Sequence, residues 1–91
     1  MRYIICYDIS ENPIRNRIAK YLETIAWRIQ RSVFTCEGTE VKMHVVKKRL
    51  LALVESAEEP RLVIAPLCSA CESKLWQVGE FRESERAAFI I

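Results

Sequence analysis

The chain has 91 residues, 51% hydrophobic and 29% charged, which suits one compact globular domain and excludes a disordered or fibrous protein. Fourteen Lys and Arg against twelve Asp and Glu leave a formal net charge of +2, which by itself assigns no partner. The longest apolar runs, at 4–7 and 62–67, are too short to cross a bilayer or to form an export-signal core, so a cytoplasmic protein with no membrane contact is expected.

Residues 2–9 (RYIICYDI) join aromatic and β-branched residues and stop at the polar cluster 10–13, which predicts a buried strand and a turn. Its alternation puts Arg2, Ile4, Cys6 and Asp8 on one face and Tyr3, Ile5, Tyr7 and Ile9 on the other. Asn12 then reads as an N-cap and Pro13 as the first helical residue, where a missing N–H is harmless. Ile14, Ile18, Leu22 and Ile25 continue as one apolar stripe, predicting a helix over 13–26. Residues 27–36 (WRIQRSVFTC) are rich in strand formers and broken at 30–32, which predicts a β-hairpin. After Gly38, a second stripe of Met43, Val46, Leu50, Leu53 and Val54 predicts a helix over 40–55. Residues 61–67 (RLVIAPL) read as a strand with Pro66 near its end, and 74–78 and 87–91 as further short strands.

The order β-α-β-β-α-β is that of an α+β, ferredoxin-like sandwich, two helices on one face of an antiparallel sheet, filling 1–91 as a single domain. So short a chain buries a limited share of its surface, which makes a homodimer plausible on burial grounds. Basic residues crowd 15–31 (Arg15, Arg17, Lys20, Arg28, Arg31) and 42–49, a pattern that by itself fits solvated helix faces better than a nucleic-acid footprint.

Asp8, the only aspartate, falls at the end of the first predicted strand beside a turn. Position alone does not separate a capping carboxylate from a functional one. A hard cation such as magnesium takes oxygen ligands and retains waters, so one or two carboxylates suffice when phosphate completes the shell. The cysteines at 6, 36, 68 and 71 form no secretory disulfide framework and are expected as free thiols. Cys68 and Cys71 have half-site zinc spacing but lack a second pair, with only Cys6, Cys36 and His44 to complete a site; a turn with two thiols fits better. A thioredoxin-like role fits least, because no clear helix follows the strand. With one His, one Asp and two glycines, no nucleophilic triad or phosphate loop is readable.

Taken together, Tyr7-Asp8-Ile9, Arg15-Asn16-Arg17, Ala19, Leu22 and the run from Arg28 through Gln30 to Phe34 resemble the signature of the CRISPR-associated protein 2 family, in the same order and at nearly the same spacing. A weaker match continues through 61–64, 66–68 and 78–79. The resemblance implies a symmetric homodimer with Asp8 of each protomer near the dyad. It also implies a magnesium-dependent endonuclease, acting on RNA or double-stranded DNA, in which Asp8 is both catalytic residue and metal ligand. The family also bridges CRISPR integrase dimers during spacer acquisition, so a non-catalytic DNA-binding scaffold is the alternative. An RNA-binding module of RRM type is the remaining one, disfavoured because 32–36 lack the required aromatic order. By the same resemblance Arg15, Arg17, Arg28 and Phe34 occupy nucleic-acid-handling positions; Arg31, which stands where an aromatic is common, is counted with them as a nucleic-acid-binding residue. The segment 79–91 is expected as a C-terminal tail whose strand pairs with the partner subunit. Ile25-Ala26 stand where the family usually has a glycine, which leaves that turn's geometry open.

Overall fold

Seven elements succeed one another in the computed structural model, which describes residues 1–76 and residue 78: β1 (Arg2–Asp8), α1 (Asn12–Ile25), β2 (Trp27–Gln30), β3 (Val33–Glu37), α2 (Glu40–Leu53), β4 (Arg61–Leu67) and α3 (Ser69–Ser73). The strands form one antiparallel sheet in the order β2-β3-β1-β4. This is the expected ferredoxin-like order, with β1 central and bonded along both edges.

The alternation of β1 decides which face is core. Tyr3, Ile5 and Tyr7 are buried with Phe34 and Cys36 of β3. Against them pack Ile14, Ile18 and Leu22 of α1 and Met43, Val46 and Leu50 of α2, so both apolar stripes reach the core they predict. Full burial of such side chains stabilises by about 1.5–3 kcal/mol each. The register places Ile4, Cys6, Val33, Val63 and Ala65 on the opposite face, away from the apolar stripes of α1 and α2. Val63 there is 58% exposed, whereas Thr35 is fully buried and accepts a 3.1 Å hydrogen bond from Arg2 Nη1.

Several boundaries differ from expectation for local reasons. Glu11, not Asn12, is the N-cap of α1, and its side chain makes no cap bond. Instead Glu11 Oε2 accepts the Glu58 N–H at 2.8 Å, tying the β1–α1 turn to the loop after α2. Asn12 Oδ1 is free to accept from Arg15. The end of α2 comes at Leu53, after which Val54 stays buried and Glu59, at φ 47°, turns the chain into Pro60. At its start, Thr39 caps α2 by accepting from the Lys42 N–H at 3.1 Å. The strand expected over 74–78 is absent at 74–76 and 78: Lys74 closes α3, its N–H bonded to the Cys71 carbonyl at 3.1 Å. The expected strand at 87–91 and the tail 79–91 lie outside the described residues. Among the described residues no helix is long and apolar enough to cross a membrane.

Candidate nucleic-acid site around Asp8

The central strand delivers the site's carboxylate. By alternation Asp8 belongs to that opposite face, and at the strand's last position it emerges exposed while Tyr7 and Ile9 turn into the core. Asp8 stands in register with Arg61 of β4, yet among the described residues no cation is ion-paired with its carboxylate. The acid is therefore open to an external ligand.

Beside it lies a cleft of about 450 Å³. Asp8 forms one wall, α1 contributes Arg15 and Asn16, and the β2–β3 hairpin contributes Arg28, Arg31 and Ser32. Three guanidinium groups thus face one carboxylate, a local excess of positive charge suited to phosphate. Arg15 is pre-positioned: Nη1 donates to the Ile9 carbonyl at 3.0 Å, and Nη2 donates to Asn12 Oδ1. Arg28 lies over the Phe34 ring, 5.1 Å from its centroid, while Nη2 donates to Glu23 Oε1 at 3.1 Å. Two anchors on one long side chain lower the entropy lost when it meets an anion. Arg31 has an exposed side chain, and its backbone carbonyl accepts from the Tyr7 hydroxyl at 3.4 Å. Tyr7 also holds the hairpin through its N–H to the Ser32 carbonyl, 3.1 Å. Burial pushes the Tyr7 phenol above its ordinary value, against the opposing pull of Arg28 and Arg15, so it remains a hydrogen-bond donor near neutral pH.

Of the residues picked out by sequence, Asp8, Arg15, Arg28 and Arg31 converge on the cleft. Arg17 does not: its Nε donates to the Pro13 carbonyl at 3.3 Å on the exposed side of α1. Phe34 is fully buried, with its ring 6.3 Å from that of Tyr7, and it reaches the site only through Arg28. No base can stack on it directly. Tyr7, Asn16 and Ser32 line the cleft without having been singled out as site residues. Tyr7 and Asn16 were legible only as neighbours of Asp8 and Arg15. Ser32 was legible only from its place in the turn and in the run from Arg28 to Phe34.

Residues 1–75 match the family model described as CRISPR associated protein Cas2. The chain is similar to the CRISPR-associated endoribonuclease Cas2 1 of Chloroflexus aurantiacus, with 35% identity over 80 residues that cover 88% of this chain and 86% of that protein. It is likewise 35% identical over 78 residues to the CRISPR-associated endoribonuclease Cas2 4 of Rhodospirillum rubrum, covering 86% of this chain and 62% of that longer one. The crystal structure of Streptococcus pyogenes Cas2 superposes with a TM-score of 0.72 at 21% identity, covering 87% of this chain and 100% of that chain, a likeness of fold.

Proposed function

The chain belongs to the CRISPR-associated protein Cas2 family, and from that membership we propose that it is a homodimeric endonuclease of spacer acquisition, cleaving phosphodiester bonds in RNA or double-stranded DNA. One observation carries the reading: an exposed carboxylate, Asp8, with no ion-pair partner among the described residues, stands at the mouth of a cleft lined by Arg15, Arg28 and Arg31. The names of the two similar proteins of Chloroflexus aurantiacus and Rhodospirillum rubrum, both endoribonucleases, support RNA as a substrate class.

A divalent cation fits these residues within limits. Among the described residues no three His, Cys, Asp or Glu side chains gather, so one protomer offers one carboxylate. That is enough for magnesium, whose shell water and substrate phosphate complete, and a second Asp8 from a symmetric partner would add another oxygen donor. When bound, the ion supplies Lewis-acid polarisation of the phosphate and a more acidic water. The protein's own part is electrostatic and positional. Arg15, held by the Ile9 carbonyl, and Arg28, held over Phe34, bind non-bridging phosphate oxygens and offset the charge that grows on them. Asp8 would hold the cation, and its carboxylate would help to orient the water that the ion makes more acidic.

The sheet face opposite the α1 and α2 stripes supports the homodimer, since Ile4, Val33, Val63 and Ala65 form an apolar strip that a second copy can bury. Asp8→Ala is expected to abolish metal-dependent cleavage of labelled RNA and duplex DNA while leaving the sedimentation of the protein unchanged. Equal cleavage by wild type and variant overturns the enzyme reading. If two copies of Asp8 share one ion, magnesium raises the melting temperature of wild type at fixed protein concentration and not of Asp8→Asn.

A second reading rests on a separate observation. Arg17, Lys20, Lys47, Lys48 and Arg49 are exposed on α1 and α2, away from the cleft. Such a surface suits a duplex backbone held without cleavage, in a subunit that bridges CRISPR integrase dimers. Full spacer acquisition with Asp8→Ala selects this scaffold role; loss of acquisition selects the enzyme.

A further inference from the structure

Cys68 directly follows β4 and caps α3. Its Sγ accepts the Cys71 N–H at 3.4 Å, so the sulfur lies over the turn that carries the second cysteine. Residues three apart around a helical turn have Cα atoms about 5 Å apart, within the span that a disulfide bridges without backbone movement. Both residues are exposed and free, whereas Cys36 is buried and Cys6 partly covered on the sheet. A cleft of about 630 Å³ runs past the two cysteines, walled by Tyr3, Met43, His44, Ile64 and Pro66. The helix that the sequence did not show after this strand is therefore present, and it sets the two thiols side by side. Zinc has no comparable support, because among the described residues no third ligand joins them.

We propose that Cys68 and Cys71 form a reversible dithiol–disulfide pair, with Cys68 as attacking sulfur, Cys71 as resolving sulfur and a glutathione-type small disulfide as oxidant. In the first step the Cys68 thiolate attacks one sulfur of the small disulfide, forming a mixed disulfide and expelling one small thiolate. In the second, Cys71 attacks Cys68 Sγ, its proton passes to the departing small thiolate, and the Cys68–Cys71 bond closes. The protein loses two electrons and two protons, and one small disulfide becomes two thiols. The two sulfurs differ in the required sense. Hydrogen bonds from the Cys71 backbone and thiol hold Cys68 below the ordinary thiol range, and donating to Cys68 pushes Cys71 above it. Closure fixes the first turn of α3, whose Glu72 binds Arg2 Nε at 2.8 Å.

The test uses the full-length protein in glutathione buffers of graded redox ratio, quenched with an alkylating agent and read by peptide mass spectrometry. Wild type is expected to convert between a doubly alkylated peptide and one that lacks two hydrogens and takes no alkyl group. Cys71→Ser is expected to accumulate the mixed disulfide at Cys68, at least about tenfold above wild type. Cys68→Ser is expected to form neither species. Both positions are exposed, so thermal melts of the variants should match wild type. No intramolecular bond in excess oxidised glutathione, only protein-to-protein disulfides, or equal trapping in both serine variants would each overturn the assignment.

Discussion

Replacing Phe34 by leucine asks whether this ring belongs to the core or to a base-stacking surface. Phe34 is fully buried, so losing ring atoms leaves a partly filled cavity that costs about 1–2 kcal/mol. The stacked contact with Tyr7, at 6.3 Å and 23°, contributes about 0.5–1.5 kcal/mol beyond burial. The Arg28 guanidinium at 5.1 Å adds about 0.5–1 kcal/mol. Together these predict a destabilisation of about 3 kcal/mol, hence a melting temperature lower by roughly 12–24 °C for a domain of this size. Nucleic-acid affinity, measured well below that melting temperature, should weaken by less than about fivefold, because only the seating of Arg28 is disturbed. Calorimetry at fixed protein concentration and fluorescence anisotropy with a labelled oligonucleotide measure the two effects. Unchanged stability with a large loss of affinity would refute the core assignment and make Phe34 a contact residue.

Arg28→Ala removes a cleft cation with an exposed side chain, so it should lower affinity for RNA and duplex DNA at low salt by about tenfold and reduce the salt slope by about one, at a stability cost of about 0.5–1 kcal/mol from the lost contact with Phe34; an unchanged slope in anisotropy titrations counts against the cleft. Thr39→Ala deletes the cap that accepts the Lys42 N–H at 3.1 Å, and urea denaturation should show a loss of about 1 kcal/mol with m unchanged. Burial holds the Cys36 thiol above its ordinary 9.0, which fixes the sign of an alkaline effect. The stabilisation is complete below the unfolded thiol's pKa and is lost as pH rises toward the folded one, so stability should fall above about pH 9, and less steeply in Cys36→Ala. A pH series of urea midpoints in which the two proteins run parallel would count against it.

Alternation in 2–8 and the apolar stripes at 14, 18, 22 and 43, 46, 50 were enough to set the element order and most of the core. Each is a local pattern with one way to hide its apolar side, so the sequence alone determined it. The place of Asp8 at a strand end was legible for the same reason. The separation of Arg15 from Arg17 came with the structure: both were expected to handle nucleic acid, but two residues apart on a helix means about 200° of rotation, and Arg17 leaves the cleft. Tertiary structure alone decided the rest. Arg28 and Arg31 meet Arg15 and Asp8 because β3 pairs with β1 and folds the hairpin back over the turn into α1, a register no local pattern encodes. That pairing also turns Phe34 inward, which converts an expected contact into a support for Arg28. The short helix α3 escaped the sequence because five residues show no helical period, and only its docking beside β4, with Glu72 drawn to Arg2, sets Cys68 next to Cys71.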